Sequence, residues 1–228
     1  MATGEMITFD VNGKATGGYL ARPEGGGADG AGIVVVHEWW GLNEHTKDIA
    51  RRYADEGFTA LAPDLYDGTV TADAQEASKL MHALDAERGL EILDATVARL
   101  ADEDGVDANR IGVTGFCMGG SFALLLACRN RQIAAAAPFY GDMPSDDDLA
   151  RLTAPVLFVG ASKDGWITVE KMEGLRDALA RLGKEGEVKI YEGADHAFFN
   201  DTRPEVYNPE AAADAWQRVV GFFKERLK

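Results

Sequence analysis

Basic residues are scarce in this sequence. Lys and Arg together number 23 against 38 Asp and Glu, so the formal net charge is −15. Nucleic acids and anionic membrane surfaces bind proteins through basic patches, and this balance therefore argues against both as partners. Long apolar runs are missing too, because the longest (Ile33–Val36, Phe122–Cys128 and Ile133–Ala137) fall far short of the roughly 20 residues of a membrane span. The composition is typical of a cytoplasmic enzyme.

Cysteine is rare as well, with Cys117 and Cys128 as the only two. On one helix they would lie about 16 Å apart, whereas a disulfide needs Cα atoms within about 7 Å. We therefore expect two free thiols, which suit a reducing compartment. The first residues have neither the basic nor the apolar segment of a secretory signal, so the expected location is cytoplasmic. Cys128 is interpreted as a small buried hydrophobe.

Motifs for metal ions and nucleotides are absent. The sequence contains no Cys-x-x-Cys, no His-Glu-x-x-His and no P-loop, and its four histidines lack ligand spacing. We therefore expect neither a metal nor a cofactor. Internal repeats are also absent, and the Gly-rich stretch Glu24–Gly32 is predicted to be a surface loop.

Strand and helix patterns alternate along the rest of the chain. The β-branched run Ile33–Val36 predicts a strand buried on both faces. Other predicted strands are Met6–Val11, Gly18–Ala21, Thr59–Ala62, Ile111–Thr114, Ala134–Phe139, Val156–Gly160 and Val188–Tyr191, and predicted helices are Asn43–Glu56, Glu87–Ala101, Met118–Arg129, Val169–Leu182 and Pro209–Arg226. This order predicts a single-domain α/β fold over residues 1–228, with a mostly parallel sheet covered by helices on both faces. Ligands of such sheets bind at the carboxyl ends of the strands.

One of these strands ends in a pattern that indicates chemistry. Residues 110–121 read Arg-Ile-Gly-Val-Thr-Gly-Phe-Cys-Met-Gly-Gly-Ser, an apolar strand followed by Gly-x-Cys-x-Gly-Gly and an apolar helix. This is the nucleophile-elbow pattern with Cys117 in place of the usual serine. Gly115 and Gly119 would let strand and helix approach closely, and a helix N-terminus favours a thiolate. A structural cysteine in a tight turn is the alternative, but the strand and helix on either side favour a nucleophile.

A hydrolase with this elbow needs an acid and a histidine later in the chain. Only His196 follows the elbow, in a loop just after a predicted strand. Asp164, at the end of the preceding strand, is the preferred acid and Asp142 the runner-up, whereas Asp195 is expected to face solvent or cap the turn. Asp164 would orient the imidazole, and His196 would act as general base toward Cys117.

A carboxylate also follows the buried strand Ile33–Val36. Packing does not explain a charged Glu38 at that strand's carboxyl end, because buried carboxylates need partners. It is either an ion-pair residue at the edge of the loop or a site residue that touches Cys117. We interpret it as a site residue, with the backbone N–H groups of Trp39 and Met118 as an oxyanion hole.

Five segments combine into a wider pattern. They are His37–Gly41, Ala62–Tyr66, Gly115–Gly120, Phe139–Gly141 and His196–Asn200. Together they resemble the dienelactone hydrolase (carboxymethylenebutenolidase) family of the α/β-hydrolase superfamily, over nearly the whole chain. The resemblance implies an α/β-hydrolase fold without a large cap. It also implies a Cys117–His196–Asp164 triad that opens an ester or enol-lactone through an acyl-thioester, and a Glu38 that pairs with the thiol and helps to form the thiolate when substrate binds.

The resemblance also bears on the substrate. It implies that Tyr140 lines the pocket, and we expect Trp166, Phe198 and Asn200 to do so as well. Members from chlorocatechol pathways hold the substrate carboxylate with two arginines, one of them at the position of Asn200. The segment Thr69–Ser78, near the other position, contains no arginine.

Lys79 and Arg203 are nearby cations, but neither occupies a matching position with the forked geometry of the family arginines. We therefore expect a small, uncharged ester or lactone as substrate, or a carboxylate held differently. A non-catalytic or redox-sensing thiol protein and an acyl transferase are the alternative functions.

Overall fold

The strands of the fold form one sheet. The computed structural model describes residues 2–25 and 30–228. Within them the strands are β1 (Thr3–Val11), β2 (Lys14–Arg22), β3 (Gly32–Val36), β4 (Thr59–Pro63), β5 (Ile111–Phe116), β6 (Ile133–Phe139), β7 (Val156–Ala161) and β8 (Gly186–Tyr191). Their order is β1-β2-β4-β3-β5-β6-β7-β8. β2 pairs antiparallel with β1 and β4, and the remaining pairs are parallel.

Helices join most of these strands. They are α1 (Glu44–Asp55), α2 (Ala74–Ala83), α3 (Ala86–Ala101), α4 (Met118–Arg129), α5 (Asp146–Leu149), α6 (Val169–Arg181) and α7 (Pro209–Arg226). Side-chain oxygens cap most of them, as Asn43 does when it accepts from the Thr46 N–H at the start of α1. Helix α4 differs, because its N-cap is Cys117 and its side chain makes no capping hydrogen bond. Within the described residues, no helix is both long and apolar enough to cross a bilayer.

The core lies on both faces of the sheet because neighbouring strand residues point in opposite directions. In β3, Val35 packs in the cluster that includes α1 and α7, whereas Val34 and Val36 pack in the cluster that includes α3, α4 and α6. All three valines are fully buried. The predicted two-sided burial of this strand is confirmed, and so is the predicted single-domain α/β fold with a mostly parallel sheet.

Two helices and one loop differ from the prediction. Helices α2 and α5 were not predicted, since α2 buries only Ala77 and α5 is a single turn. The predicted loop Glu24–Gly32 includes residues 26–29, which lie outside the described residues, and its last residue, Gly32, begins β3.

The carboxyl ends of the central strands meet at one edge of the sheet. Glu38 follows β3, Cys117 follows β5 and Tyr140 follows β6. Asp164 and His196 lie in the loops that follow β7 and β8. The order of the strands thus gathers side chains that are far apart in sequence, at the position where open α/β sheets bind their ligands.

Candidate active site

A strained backbone turn lies at Cys117, between β5 and α4. Its φ of 57° and ψ of −120° fall in a region that side chains other than glycine rarely adopt. Three backbone hydrogen bonds hold this conformation. The Cys117 N–H donates to the Phe139 carbonyl at 3.1 Å, and the Cys117 carbonyl accepts from the N–H groups of Gly120 at 2.9 Å and Ser121 at 3.2 Å. This strand-to-helix turn is the one that the Gly-x-Cys-x-Gly pattern predicts.

Glycine is required on either side of the turn because backbone approaches backbone there. A Cβ atom at Gly115 would collide with the carbonyl oxygen of Gly119. A Cβ at Gly119 would collide with the carbonyl oxygens of Val36 and His37 in the chain that follows β3. The first turn of α4 therefore sits directly against the end of β3, which places Cys117 beside the segment that carries Glu38.

His196 and Asp164 form a direct pair. The His196 Nδ1 lies 2.6 Å from Asp164 Oδ2. The other carboxylate oxygen, Oδ1, accepts from the backbone N–H groups of Trp166 at 2.8 Å and Ile167 at 2.9 Å. Burial raises the pKa of Asp164, but the hydrogen bond and charge of His196 and these two N–H groups outweigh burial, so the net pKa is lowered. Because an ionised carboxylate only accepts, Nδ1 carries a proton, and the basic nitrogen of the neutral tautomer is then Nε2.

The other two candidate acids lie elsewhere. Asp142, the runner-up, forms an ion pair with Lys171 at 3.0 Å and accepts from the Met143 N–H. Asp195 is exposed, in agreement with its expected role at the surface. Asp164 is therefore the carboxylate that holds the imidazole of His196.

The thiol of Cys117 is buried and protonated at neutral pH. Burial raises its pKa to about 12, and the negative charge of Glu38 acts in the same direction. The backbone N–H groups of Met118 and Trp39 approach the sulfur and act in the opposite direction. These are the two donors that the sequence leads us to expect in an oxyanion hole, and both lie beside the sulfur of Cys117.

Glu38 is buried beside this thiol. Its Oε2 accepts from the Asn200 side-chain amide at 2.7 Å, and its Oε1 has no partner within the described residues. Burial raises the pKa of Glu38, although Asn200 and the charges of His196 and Arg203 oppose that effect. The pairing of Glu38 with the thiol implied by the resemblance is not present in this conformation, in which Oε2 binds Asn200 and Oε1 makes no hydrogen bond within the described residues.

We expect the variant Glu38→Gln to unfold at a higher temperature than the unchanged protein at pH 7. A raised pKa means that folding favours the protonated carboxyl, so ionised Glu38 lowers the free energy of unfolding once the pH exceeds the ordinary glutamate pKa. For a chain of this size, about 1 kcal/mol shifts Tm by roughly 2–4 °C. The gain should shrink as the pH falls toward 4, which thermal melts between pH 4 and pH 8 would measure.

The matched control is Glu103→Gln, for which we expect the opposite sign. Glu103 is also poorly exposed, but Arg22 lies 2.6 Å and Arg99 2.7 Å from its carboxylate oxygens. Burial raises its pKa, yet the two guanidinium groups lower it overall, so the ionised form is stabilised by folding. A fall in Tm for Glu38→Gln, matching that of Glu103→Gln, would contradict the claim that ionised Glu38 lowers the free energy of unfolding.

A cavity of about 250 Å³ opens over the thiol. Its lining is mostly aromatic and aliphatic and consists of Glu38, Trp39, Trp40, Met81, Cys117, Trp166, His196, Ala197 and Arg203. Met81, on the unpredicted helix α2, carries no sequence signal for this role. The cavity is thus small and mostly apolar, and both Cys117 and His196 open onto it.

Similarity to known proteins covers nearly the whole chain. The model of the dienelactone hydrolase family matches residues 16–227. The chain belongs to the dienelactone hydrolase family. Protein usf of Aquifex pyrophilus is 37% identical over 98% of this chain and 99% of its own, and an Aquifex aeolicus protein named "Putative carboxymethylenebutenolidase" is 34% identical over 99% and 100%. A solved dienelactone hydrolase-like promiscuous phosphotriesterase from metagenomic libraries is 26% identical, covers 100% of this chain and 99% of that one, and superposes with a TM-score of 0.91.

Membership of the dienelactone hydrolase family confirms the resemblance found in the sequence and makes the chain a hydrolase. Two of the expected pocket residues, however, lie beneath the cavity instead of lining it. Tyr140 and Phe198 are fully buried, with the Tyr140 ring 5.0 Å from the His196 ring and 5.7 Å from that of Phe198. The Phe198 ring also lies 5.2 Å from that of Tyr191. The rings of Tyr140 and Phe198 are therefore part of the hydrophobic core, on which the imidazole of His196 rests.

The other two expected pocket residues, Trp166 and Asn200, each line a cavity, but not the same one. Trp166 lines the cavity over the thiol and stands 5.6 Å from the His196 ring. Asn200 is buried, holds Glu38 with its amide, and lines a neighbouring cavity instead. In this dienelactone hydrolase family member, Asn200 therefore contacts Glu38 and does not line the cavity over the thiol.

Proposed function

We propose that this protein is a cysteine-dependent hydrolase of uncharged carboxylic esters or lactones. The observation that carries the proposal is the His196–Asp164 pair, 2.6 Å apart, at the same cavity as the strained Cys117. A buried thiol with a raised pKa needs a base to become a nucleophile, and an imidazole oriented by a carboxylate is such a base.

In the first half of the reaction, the substrate carbonyl oxygen accepts from the N–H groups of Trp39 and Met118. The thiol proton passes to His196 Nε2 as the sulfur of Cys117 bonds to the carbonyl carbon. The tetrahedral intermediate then collapses, the carbon–oxygen bond breaks, and the leaving oxygen takes the proton from His196. A lactone keeps its leaving hydroxyl on the same molecule, and the product of this half is an acyl-thioester.

In the second half, water attacks the thioester carbonyl and gives its proton to His196. The carbon–sulfur bond breaks, the carboxylic acid leaves, and the proton returns to the sulfur of Cys117. Asp164 holds the imidazole throughout and stabilises its charged form. Glu38, whose Oε1 is unpartnered within the described residues, is a second acceptor for the thiol proton if its carboxylate turns from Asn200.

The charge of the cavity favours uncharged substrates. Arg203 lines the cavity, but its Nε and Nη2 both lie 2.8 Å from Glu205 Oε1, so its charge is already balanced. Glu38 adds a carboxylate to the same lining. A substrate carboxylate would meet no uncompensated cation among these groups.

A substrate panel tests this proposal. It compares a neutral aryl ester, a neutral lactone, a carboxylated enol-lactone and a neutral phosphotriester, the last because of the phosphotriesterase among the structural relatives. We expect the two neutral carbonyl substrates to have the highest kcat/KM, and acid quenching to trap an acyl group on Cys117. Turnover of the carboxylated substrate alone would contradict the proposal, and product formed only with an added alcohol or amine acceptor would indicate a transferase.

Slow alkylation of the free thiols is a further expected result. The pKa of about 12 leaves Cys117 almost entirely protonated at pH 7, and the thiolate is the reactive form. The rate of iodoacetamide modification should rise with pH from 6 to 9, as peptide mass spectrometry would show. Rapid, pH-independent alkylation of Cys117 near pH 6 would mean that the resting enzyme already holds a thiolate.

A further inference from the structure

A second cavity, of about 370 Å³, lies next to the one over the thiol. Its lining is mostly polar and consists of Trp40, Asn43, Thr71, Ala72, Asn200, Thr202, Arg203 and Glu205. We call it the polar cavity, and the cavity over Cys117 the catalytic cavity. Trp40 and Arg203 line both, so these two side chains form the wall between them.

The polar cavity has a fixed framework. Its three loops are joined by hydrogen bonds, among them the Thr71 N–H to the Trp40 carbonyl at 3.0 Å and the Asn200 amide to Glu38 at 2.7 Å. Gly41, with a φ of 87°, lets the first loop approach the second so closely that a Cβ there would collide with the Thr69 carbonyl. The cavity is therefore formed before any ligand binds.

One of the two side chains that separate the cavities, Arg203, is weakly held. The Arg203 guanidinium lies 5.6 Å from the centre of the Trp40 ring and is held by Glu205. The Glu205 side chain is 59% exposed, and ion pairs with such exposed partners contribute little stability. Arg203 and Glu205 can therefore turn aside together at small cost, which would join the two cavities and keep the charge of the arginine balanced.

The polar cavity offers hydrogen-bond donors without excess charge. Asn43 uses its side-chain oxygen to accept from the Thr46 N–H, and its Nδ2 has no partner within the described residues. Thr71 uses its hydroxyl oxygen to accept from the Asp73 N–H, so its hydroxyl proton is available. Arg203 adds N–H groups whose charge Glu205 balances. An uncharged group with acceptor oxygens, such as an amide, matches this set.

We propose that the polar cavity is a second substrate subsite, which binds an uncharged hydrogen-bonding group carried by the ester whose carbonyl lies at Cys117. The substrate would thus combine a compact apolar part near the carbonyl with a polar, uncharged tail. This inference rests on the proposed function, because it places the reactive carbonyl in the catalytic cavity.

The test uses aryl esters with matched tails. One series carries a terminal acetamide, the second an alkyl chain of the same length and the third a terminal carboxylate, each with four-, six- or eight-carbon spacers on the acyl or the alcohol side. We expect the best acetamide ester to exceed its alkyl match in kcat/KM by roughly fivefold or more, the effect of about one hydrogen bond. Absence of this preference in every series would overturn the inference.

Two tryptophan variants test whether the acetamide preference arises in the polar cavity. Ala72→Trp fills this cavity, so the ratio of kcat/KM for the acetamide ester to that for the alkyl ester should fall to about one. Ala213→Trp, at an exposed position of α7, should leave that ratio unchanged. Glu205→Gln removes the charge that balances Arg203 and should raise the relative rate of the carboxylate tail about fivefold. An acetamide preference that persists in Ala72→Trp would overturn the subsite.

An aryl acetate distinguishes failure of this inference from failure of the proposed function, because its acyl group is too short to reach the polar cavity. If the aryl acetate is not hydrolysed in a Cys117-dependent manner, the proposed function is wrong. If the aryl acetate is hydrolysed but the acetamide tail gives no preference, only the second subsite is wrong.

Discussion

Replacement of Cys117 by alanine is expected to lower kcat/KM for a neutral aryl ester by roughly 10⁴-fold or more. Alanine has no nucleophilic atom to attack the carbonyl carbon. Only the oxyanion donors and substrate binding then contribute to the rate. The backbone at position 117 keeps its hydrogen bonds to Phe139 and Gly120, since neither involves the side chain. Steady-state kinetics would measure the loss, and circular dichroism would verify that the variant is folded.

Cys128→Ala is the matched control, because Cys128 is also buried, with a pKa raised to about 12 by burial. It packs in the core cluster on the α4 side of the sheet and does not line the catalytic cavity. Its activity should stay within a few-fold of the unchanged protein. Full activity in Cys117→Ala would contradict the assigned nucleophile.

His196→Ala should cost about as much as Cys117→Ala, and the double variant little more, because groups that act as one unit are strongly non-additive. Independent, multiplying losses would mean that His196 acts in a step that does not involve the thiol of Cys117.

Gly119→Ala is expected to have the largest effect on stability, a loss of about 3 kcal/mol in the free energy of unfolding. The new methyl group would meet the carbonyl oxygens of Val36 and His37, which are backbone atoms and cannot rotate away as a side chain would. Relief requires the first turn of α4 to move from β3, which separates Cys117 from Glu38. Urea unfolding would measure the stability, and ester hydrolysis should fall with it.

Gly221→Ala in α7 is the control for this substitution, because a Cβ there meets no atom within 4 Å. Alanine favours helix over glycine by about 0.5–1 kcal/mol, so this variant should be slightly more stable. Equal, small effects of the two substitutions would contradict the close contact of α4 with β3.

The parts of the site that sequence predicts are the ones encoded locally. The turn at Cys117 depends on glycines within four residues of it, and the position of His196 after a strand is readable from a short segment. The contact between Glu38 and Asn200 joins residues 162 positions apart, and no local pattern marks it. Tyr140 lies at a strand end as expected, but whether its ring enters the cavity or the core depends on how Phe198 and its neighbours pack.

The fold follows the same division. Strands buried on both faces and helices with regular apolar spacing have strong signals, which is why the sheet and five helices are predicted to within a few residues. Helix α2 has only a short apolar side, since Ala77 is its one fully buried residue and Leu80 and Met81 are partly buried against the core. Met81 reaches the catalytic cavity only because the tertiary structure lays this exposed helix across the site.

That weak anchoring has a consequence for motion. Helix α2 fully buries only Ala77, with Leu80 and Met81 partly buried against the core, so its local opening should require less free energy than global unfolding. Helix α4, with most of its length buried, opens only when the core does. Amide hydrogens around Met81, which lines the catalytic cavity, should therefore exchange with solvent well before those of the buried helix α4.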